Sequence, residues 1–231
     1  MKIIRFFSLF ARTGCLILSH TMDDTARQQE FRVQKWARGQ ARAYPLWLRL
    51  IGWMGYGRMM RRAIAGLPHA PRDVLDVGTG TGAATRIAME AYPGARVVAL
   101  DLSPEFLEEA RRQGGSIRFV QGSAAALPVK ASFDLAMSFG VLCHTADAVQ
   151  VVREMRRALR PGGQALLWTR GRGPSGQLLR WVFPLTSGGA EFYIYSRREL
   201  RRLFEEAGFA EVRVTGDAHG VLVSGKATVQ R

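Results

Sequence analysis

The stretch Val74-Leu75-Asp76-Val77-Gly78-Thr79-Gly80-Thr81-Gly82 limits what this chain can fold into more than any other. Its first residues read as a short buried strand, the alternating glycines as a tight turn, and Ala83 to Ala88 as the start of a helix. Glycine at 78, 80 and 82 lets the backbone take positive φ and approach a ligand with no Cβ in the way. The free N–H groups of the helix then face that ligand, and the helix dipole favours anionic or electron-rich groups there. Strand, turn and helix in that order make a nucleotide-type pocket.

Gly78, Gly80 and Ala83 also satisfy the G-x-G-x-x-G/A fingerprint of dinucleotide-dependent hydride transfer, and alone that pattern leaves the nucleotide open. Two acids narrow it. Asp76 stands two positions before the first glycine, at the mouth of the strand, where its carboxylate can meet an ammonium group. Asp101 ends the next strand, Arg96 to Leu100, and lies 19 residues beyond Gly82, the distance of an acid that holds ribose hydroxyls. A ligand with an amino acid at one end and a ribose further along suits both.

Val-Leu-Asp-Val-Gly-Thr-Gly-Thr-Gly followed by Val-Val-Ala-Leu-Asp-Leu-Ser resembles the first two motifs of class I S-adenosylmethionine-dependent methyltransferases. Leu-Arg-Pro-Gly-Gly at 159–163, ahead of an apolar strand, is a further motif of that family. The resemblance covers roughly residues 70 to 227 and is nearest to small-molecule and quinone-biosynthesis members of the type 11 group. It implies an α/β fold: a doubly wound, mostly parallel, seven-stranded Rossmann-like sheet with an antiparallel last strand, plus an N-terminal helical lid. It also implies S-adenosylmethionine as cofactor, contacted by Asp76, Gly78, Thr79, Gly80, Gly82, Asp101, Leu102, Ser123, Ala124 and Phe139. In that family an acid normally occupies the Ser123 position and binds the adenine amino group. Serine is a shorter acceptor, which shifts the contact towards the Ala124 backbone.

At 231 residues the chain suits one α/β domain with a small lid. Residues 1–22 read either as a mis-assigned extension ahead of a start at Met22 or as a basic segment at a membrane surface; 23–67 read as the lid and 68–231 as the cofactor-binding domain. Arg5 and Arg12 interrupt the apolar N-terminus and no small-x-small cleavage site follows, so export is disfavoured. Two cysteines, Cys15 and Cys143, are too few for a disulfide framework, and no Cys/His cluster has zinc-ligand spacing. A reducing, cytoplasmic setting fits, with membrane association as an option. The net charge of +14 is uneven, because residues 1–66 carry 12 Lys and Arg against 3 acids. Such asymmetry points to an anionic partner, membrane or nucleic acid, or else to arginines on solvated faces.

From Thr25 to about Gly66 the pattern is helical, with Phe31, Trp36, Trp47, Met54 and Met60 interleaved with basic residues. The apolar run from Leu46 to Tyr56 is too short to span a bilayer and contains Arg49. We read the segment as a lid over the cofactor pocket rather than an interfacial helix. The resemblance places Trp36-Ala37 and Tyr44 in the part that closes over substrate, with Pro45 where an acid is usual. Downstream, Arg153, Arg156, Arg157 and Arg160 read as a solvated helix face, and the aromatic stretch between Arg170 and Ser196 as a loop that walls the substrate.

Methyl transfer from a sulfonium needs orientation and a dry pocket, and a base only where the acceptor proton requires one. His144, just after the fourth strand, is the candidate base, although family members carry a histidine there whatever their acceptor, which leaves a structural role open. Tyr44 and Tyr193 are candidates to orient an acceptor hydroxyl. The resemblance and the Trp- and Met-rich basic N-terminus suggest a small apolar or lipid-like acceptor, methylated on oxygen, nitrogen or carbon. Two rival readings remain at this point. One is an NAD-dependent oxidoreductase, which leaves Asp76 unexplained. The other is a basic RNA- or membrane-binding protein with a residual cofactor pocket; its bases would stack on Trp36, Trp47 or Trp53, and no base-flipping motif supports nucleic acid.

Overall fold

The computed structural model describes residues 24–42, 56–112, 114–115, 117–217 and 219–228. Residues 1–22, and with them Cys15, lie outside the described residues, as do Tyr44, Trp47 and Trp53. Seven strands form one sheet in the order β3-β2-β1-β4-β5-β7-β6. They are β1 (Asp73–Val77), β2 (Arg96–Asp101), β3 (Ile117–Gln121), β4 (Phe133–Phe139), β5 (Leu159–Arg170), β6 (Phe209–Gly216) and β7 (Gly220–Ala227). β1 pairs in parallel with β2 and with β4, whereas β7 runs antiparallel to both β5 and β6. The strand order therefore reverses between β1 and β4, which opens a crevice at their carboxyl ends.

Successive residues on a strand face opposite sides of the sheet, and here both sides are covered. Leu75, Ala136 and Leu167 pack towards α5 (Ala148–Ala158) and α7 (Arg197–Glu206), meeting Val151, Met155, Leu200 and Phe204. Their neighbours Val74, Leu135 and Leu166 face the other way, onto α2 (Tyr56–Ala65) and α3 (Ala83–Ala91), meeting Met60, Ile64, Ile87 and Ala88. That alternation explains why the central strands read as unbroken apolar runs. Local signals end the helices where the sequence places them. Asp147 accepts from the Gln150 N–H at the start of α5, Ser196 and Glu199 form a reciprocal cap on α7, and Gly208 follows α7 at φ 85°. α4 (Pro104–Arg112) is capped by Ser103, whose Oγ accepts from the Phe106 N–H at 3.2 Å.

Two expectations need correction. The segment between Arg170 and Ser196 is no loop: Pro174–Thr186 forms α6, with Pro174 in its first turn and Pro184 in its last part. Its apolar stripe of Leu178, Trp181, Val182 and Leu185 faces outward while Phe183 packs inward, so the periodicity that normally marks a buried helix face was reversed. The arginines read as a solvated face are so only in part: Arg153 and Arg157 are exposed, Arg160 is half-buried and Arg156 is buried. Arg156 is buried and donates to the Gly208 carbonyl, Arg157 pairs with buried Glu154, and Arg160 joins Asp73 to Asp134 at the starts of β1 and β4. They tie the lower edge of the sheet together. No helix among the described residues is long and apolar enough to cross a membrane.

Candidate active site

The glycine turn is shaped as its sequence requires. Gly78, Gly80 and Gly82 have φ of 72°, 56° and 84°, all in the left-handed region that side chains rarely adopt. A Cβ on Gly78 would lie 2.0 Å from Cγ2 of Val141, so the turn also packs directly against the segment leaving β4. Gly78 and Thr79 donate to the Leu100 carbonyl, which pins the turn to the end of β2.

Above this turn lies a cavity of about 140 Å³, lined by residues from β1, β2, β4 and the N-terminal helices. Asp76 is buried at its floor. Its Oδ2 accepts from Thr85 Oγ1 at 2.6 Å; the Thr85 proton being committed there, Thr79 donates in turn to Thr85 at 2.9 Å. Oδ1 of Asp76 is buried with no hydrogen-bond partner. Burial pushes the carboxyl up to about 6 against these hydrogen bonds. Asp101 is placed differently. Its Oδ2 accepts from the Gly80 N–H at 2.8 Å and its Oδ1 from the Ser103 N–H at 2.9 Å, so it clamps the glycine turn to the loop after β2. Burial also raises this carboxyl to about 6.

Most of the residues singled out from sequence converge here. Asp76, Gly78, Thr79, Gly80, Asp101, Leu102, Ala124, Phe139 and His144 all line the cavity, as do Trp36 and Ala37 of α1 (Asp24–Gln40). Gly82 and Ser123 do not: Gly82 turns towards Arg86 and Ala110, and Ser123 donates to Glu30 of α1. Tyr193 is not brought to the cavity either, because its hydroxyl is spent on Glu191. Desolvation and the Glu191 carboxylate raise that phenol above its ordinary range.

His144 sits in a short turn after β4, its ring 5.6 Å from Trp36, 4.9 Å from Phe183 and 5.3 Å from Phe192 between centroids. Burial among these rings, with a smaller push from Arg170, lowers its pKa to about 4. The residue keeps some exposure along the cleft, but Nδ1 is buried and has no partner. A neutral imidazole is the form this setting maintains. The neighbouring Cys143 thiol is pushed up to about 12 by burial, so it is no nucleophile.

Sequence reasoning missed how α1 is held. Gln29 is buried, donates to the carbonyls of His144 (3.2 Å) and Glu191 (2.8 Å), and accepts from the Glu191 N–H at 2.9 Å. Gln34 donates to the Leu102 carbonyl at 3.3 Å, and Arg38 pairs with Glu105 at 2.9 Å. Polar residues in a charged helix carry no periodic apolar signal, which is why they were passed over. Tyr56 and Met60 of α2 complete the wall facing β4.

A doubly wound sheet with a glycine turn, two buried acids and a helical cover at its switch point makes a nucleotide-cofactor site. Residues 75–167 match the family model of the methyltransferase domain. The demethylmenaquinone methyltransferase of Deinococcus radiodurans is 36% identical over 204 residues, spanning 80% of this chain and 84% of that protein. A trans-aconitate 2-methyltransferase of Methylobacterium nodulans is 35% identical over 94 residues, 41% of this chain and 36% of its own. Human N-acetylserotonin methyltransferase, solved with S-adenosylmethionine, superposes with a TM-score of 0.60 at 22% identity, covering 77% of this chain and 53% of that one. The chain belongs to the class I S-adenosylmethionine-dependent methyltransferases. It is an enzyme, and S-adenosylmethionine is its cofactor.

The buried Asp76 carboxylate sets a stability prediction. Its folded pKa of about 6 lies above the unfolded value of 3.8, so its ionisation costs stability as pH rises through that window. Asp76→Asn keeps the acceptor for Thr85 and removes the charge. In ligand-free protein it should gain on the order of 2 kcal/mol at pH 7, and the gain should vanish below about pH 4. Urea unfolding at both pH values measures this.

Proposed function

We propose that the cleft holds S-adenosylmethionine with its amino-acid end at Asp76 and the glycine turn, its ribose at Asp101, and its adenine between Leu102 and Ala124. The observation that carries this is the orphaned Oδ1 of Asp76, a buried acceptor that only a donor in the cavity can satisfy. A nicotinamide dinucleotide presents no ammonium group there. Bound, the sulfonium supplies a methyl electrophile with its leaving group already built in. What this chain adds is alignment and exclusion of water, from Trp36 and Ala37 above and Tyr56 and Met60 beside.

The acceptor we assign is a small apolar ring compound of the quinol type, received against Trp36, His144 and the adjoining Phe183 and Phe192. No lysine or arginine lines the cavity among the described residues, which disfavours a polyanionic acceptor such as the one named for the trans-aconitate relative. The relative from Deinococcus radiodurans is named for a demethylated menaquinone, which fits the apolar reading. Neutral His144 accepts a hydrogen bond from the acceptor hydroxyl, and Tyr44 remains a candidate to orient it. With demethylmenaquinol and methyl-labelled S-adenosylmethionine, label should enter the organic extract, while trans-aconitate should take up none; the reverse would overturn the acceptor class. His144→Phe keeps the ring stack and removes the nitrogen. It should lower turnover by about a hundredfold, and wild-type turnover at saturating S-adenosylmethionine should show no inflection near pH 6.5. Unchanged turnover in that variant would leave His144 only a wall.

An apolar acceptor is delivered from a membrane, and we propose that α6 makes that contact. Trp181 and Leu185 are 77% and 84% exposed on one face of α6, with Leu178 beside them. The chain's charge of +14 complements an anionic surface, and exposed Phe31 lies among Arg27, Arg32 and Lys35. Full-length protein should sediment with vesicles rich in anionic lipid at low salt, and Trp181→Ser/Leu185→Ser should weaken this. Sedimentation that ignores both substitutions would remove α6 from the contact.

A further inference from the structure

Glu30 is the one acid in the cavity wall that the reading above does not use. It lines the cavity from α1, as do Gly122 and Ala124 of the loop after β3, and it is bonded to Ser123 between those two. Its Oε1 accepts from the Ser123 hydroxyl, while Oε2 has no hydrogen bond among the described residues and is not sealed from solvent. Ser123 is itself fully engaged, since the same hydroxyl oxygen accepts from the Ala125 N–H at 3.0 Å. No cation accompanies Glu30, because the cavity wall contains no lysine or arginine among the described residues. Burial accordingly pushes its carboxyl upward, with the Ser123 hydrogen bond opposing.

A half-buried carboxylate in the cavity wall, with one oxygen held by Ser123 and the other still open to water, can exchange that water for a donor brought by a ligand. The cofactor brings one at that end. With the amino acid at Asp76 and the ribose at Asp101, the base extends towards Leu102, Ala124 and Glu30, and adenine carries an exocyclic amino group on its edge. α1 is rigidly seated to deliver the acceptor. Gln34, one turn on from Glu30, donates to the Leu102 carbonyl, Arg38 follows on the same face against Glu105, and Gln29 fixes the other side.

We propose that Glu30 of α1, held by Ser123, receives the adenine amino group, so that the N-terminal helix is part of the cofactor site and selects its base. This rests on the placement of S-adenosylmethionine proposed above. Ser123 is then a positioning residue, whose proton orients the Glu30 carboxylate rather than contacting the base.

The test uses full-length protein titrated calorimetrically with S-adenosylhomocysteine and with S-inosylhomocysteine, in which a carbonyl replaces the amino group. Wild type should prefer the adenosyl ligand by about tenfold or more, the size of one hydrogen bond to a charged group. Glu30→Gln, whose amide can also donate to the carbonyl, should bring the two affinities within about threefold of each other. Glu30→Ala/Ser123→Asp should restore the preference by returning a carboxylate from the other wall, which a merely structural role for Glu30 would not do. An undiminished preference in Glu30→Gln, or no preference in wild type, overturns the proposal while the cofactor placement stands. If wild type binds neither ligand, the cofactor placement falls and the proposal with it.

Discussion

A carboxylate buried at the carboxyl end of a central strand is an expensive thing to keep, and much of this structure is arranged around the cost of Asp76. Two threonines, Thr85 from α3 and Thr79 from the turn, relay a single chain of hydrogen bonds to one of its oxygens. The other oxygen is left without a partner inside the protein. The glycine turn arches around this group at positive φ and is pinned by Leu100 and Asp101, so the acid cannot swing out to water. What burial costs the ligand-free protein is available as binding energy for a cationic donor.

The sheet supplies the frame that makes this affordable. β1 and β4 diverge in their connections at the point where the strand order reverses, and the crevice between them needs a cover on its open side. α1 provides it through Val33, Trp36 and Ala37, which pack against Phe106 and Phe183, and through polar side chains beside them. Gln29 reaches the His144 turn and the Glu191 backbone, while Glu30 and Gln34 reach the loops after β3 and β2. One helix thus touches the loops after β2 and β3 and the turn after β4.

Sequence alone made the catalytic half of the chain legible because its signals are local. Gly78, Gly80 and Gly82 are needed for their φ values, Ser103 and Ser196 for their caps, and the apolar strands for their burial on two faces. Asp76 and Asp101 could be placed because strand ends and motif spacing fix them in space. What escaped depends on tertiary contact. Ser123 stands where the family's adenine-binding acid is usual, and that its hydroxyl is held by Glu30, ninety-three residues away in sequence, could not be read from the chain. Tyr193 lies near the site in the chain and yet spends its hydroxyl on Glu191. α6 was hidden because its stripe is turned outward, and outward-facing apolar residues imitate a loop or a core until the partner surface is known.

Calorimetric titration of the intact protein with S-adenosylhomocysteine and with NAD, in wild type and in Asp76→Asn, tests the central claim most directly. The account predicts binding of S-adenosylhomocysteine to wild type, at least about tenfold weaker binding to Asp76→Asn, and none of NAD to either. Equal affinity of the two proteins for S-adenosylhomocysteine, or binding of NAD to wild type, would contradict the role given to the buried acid.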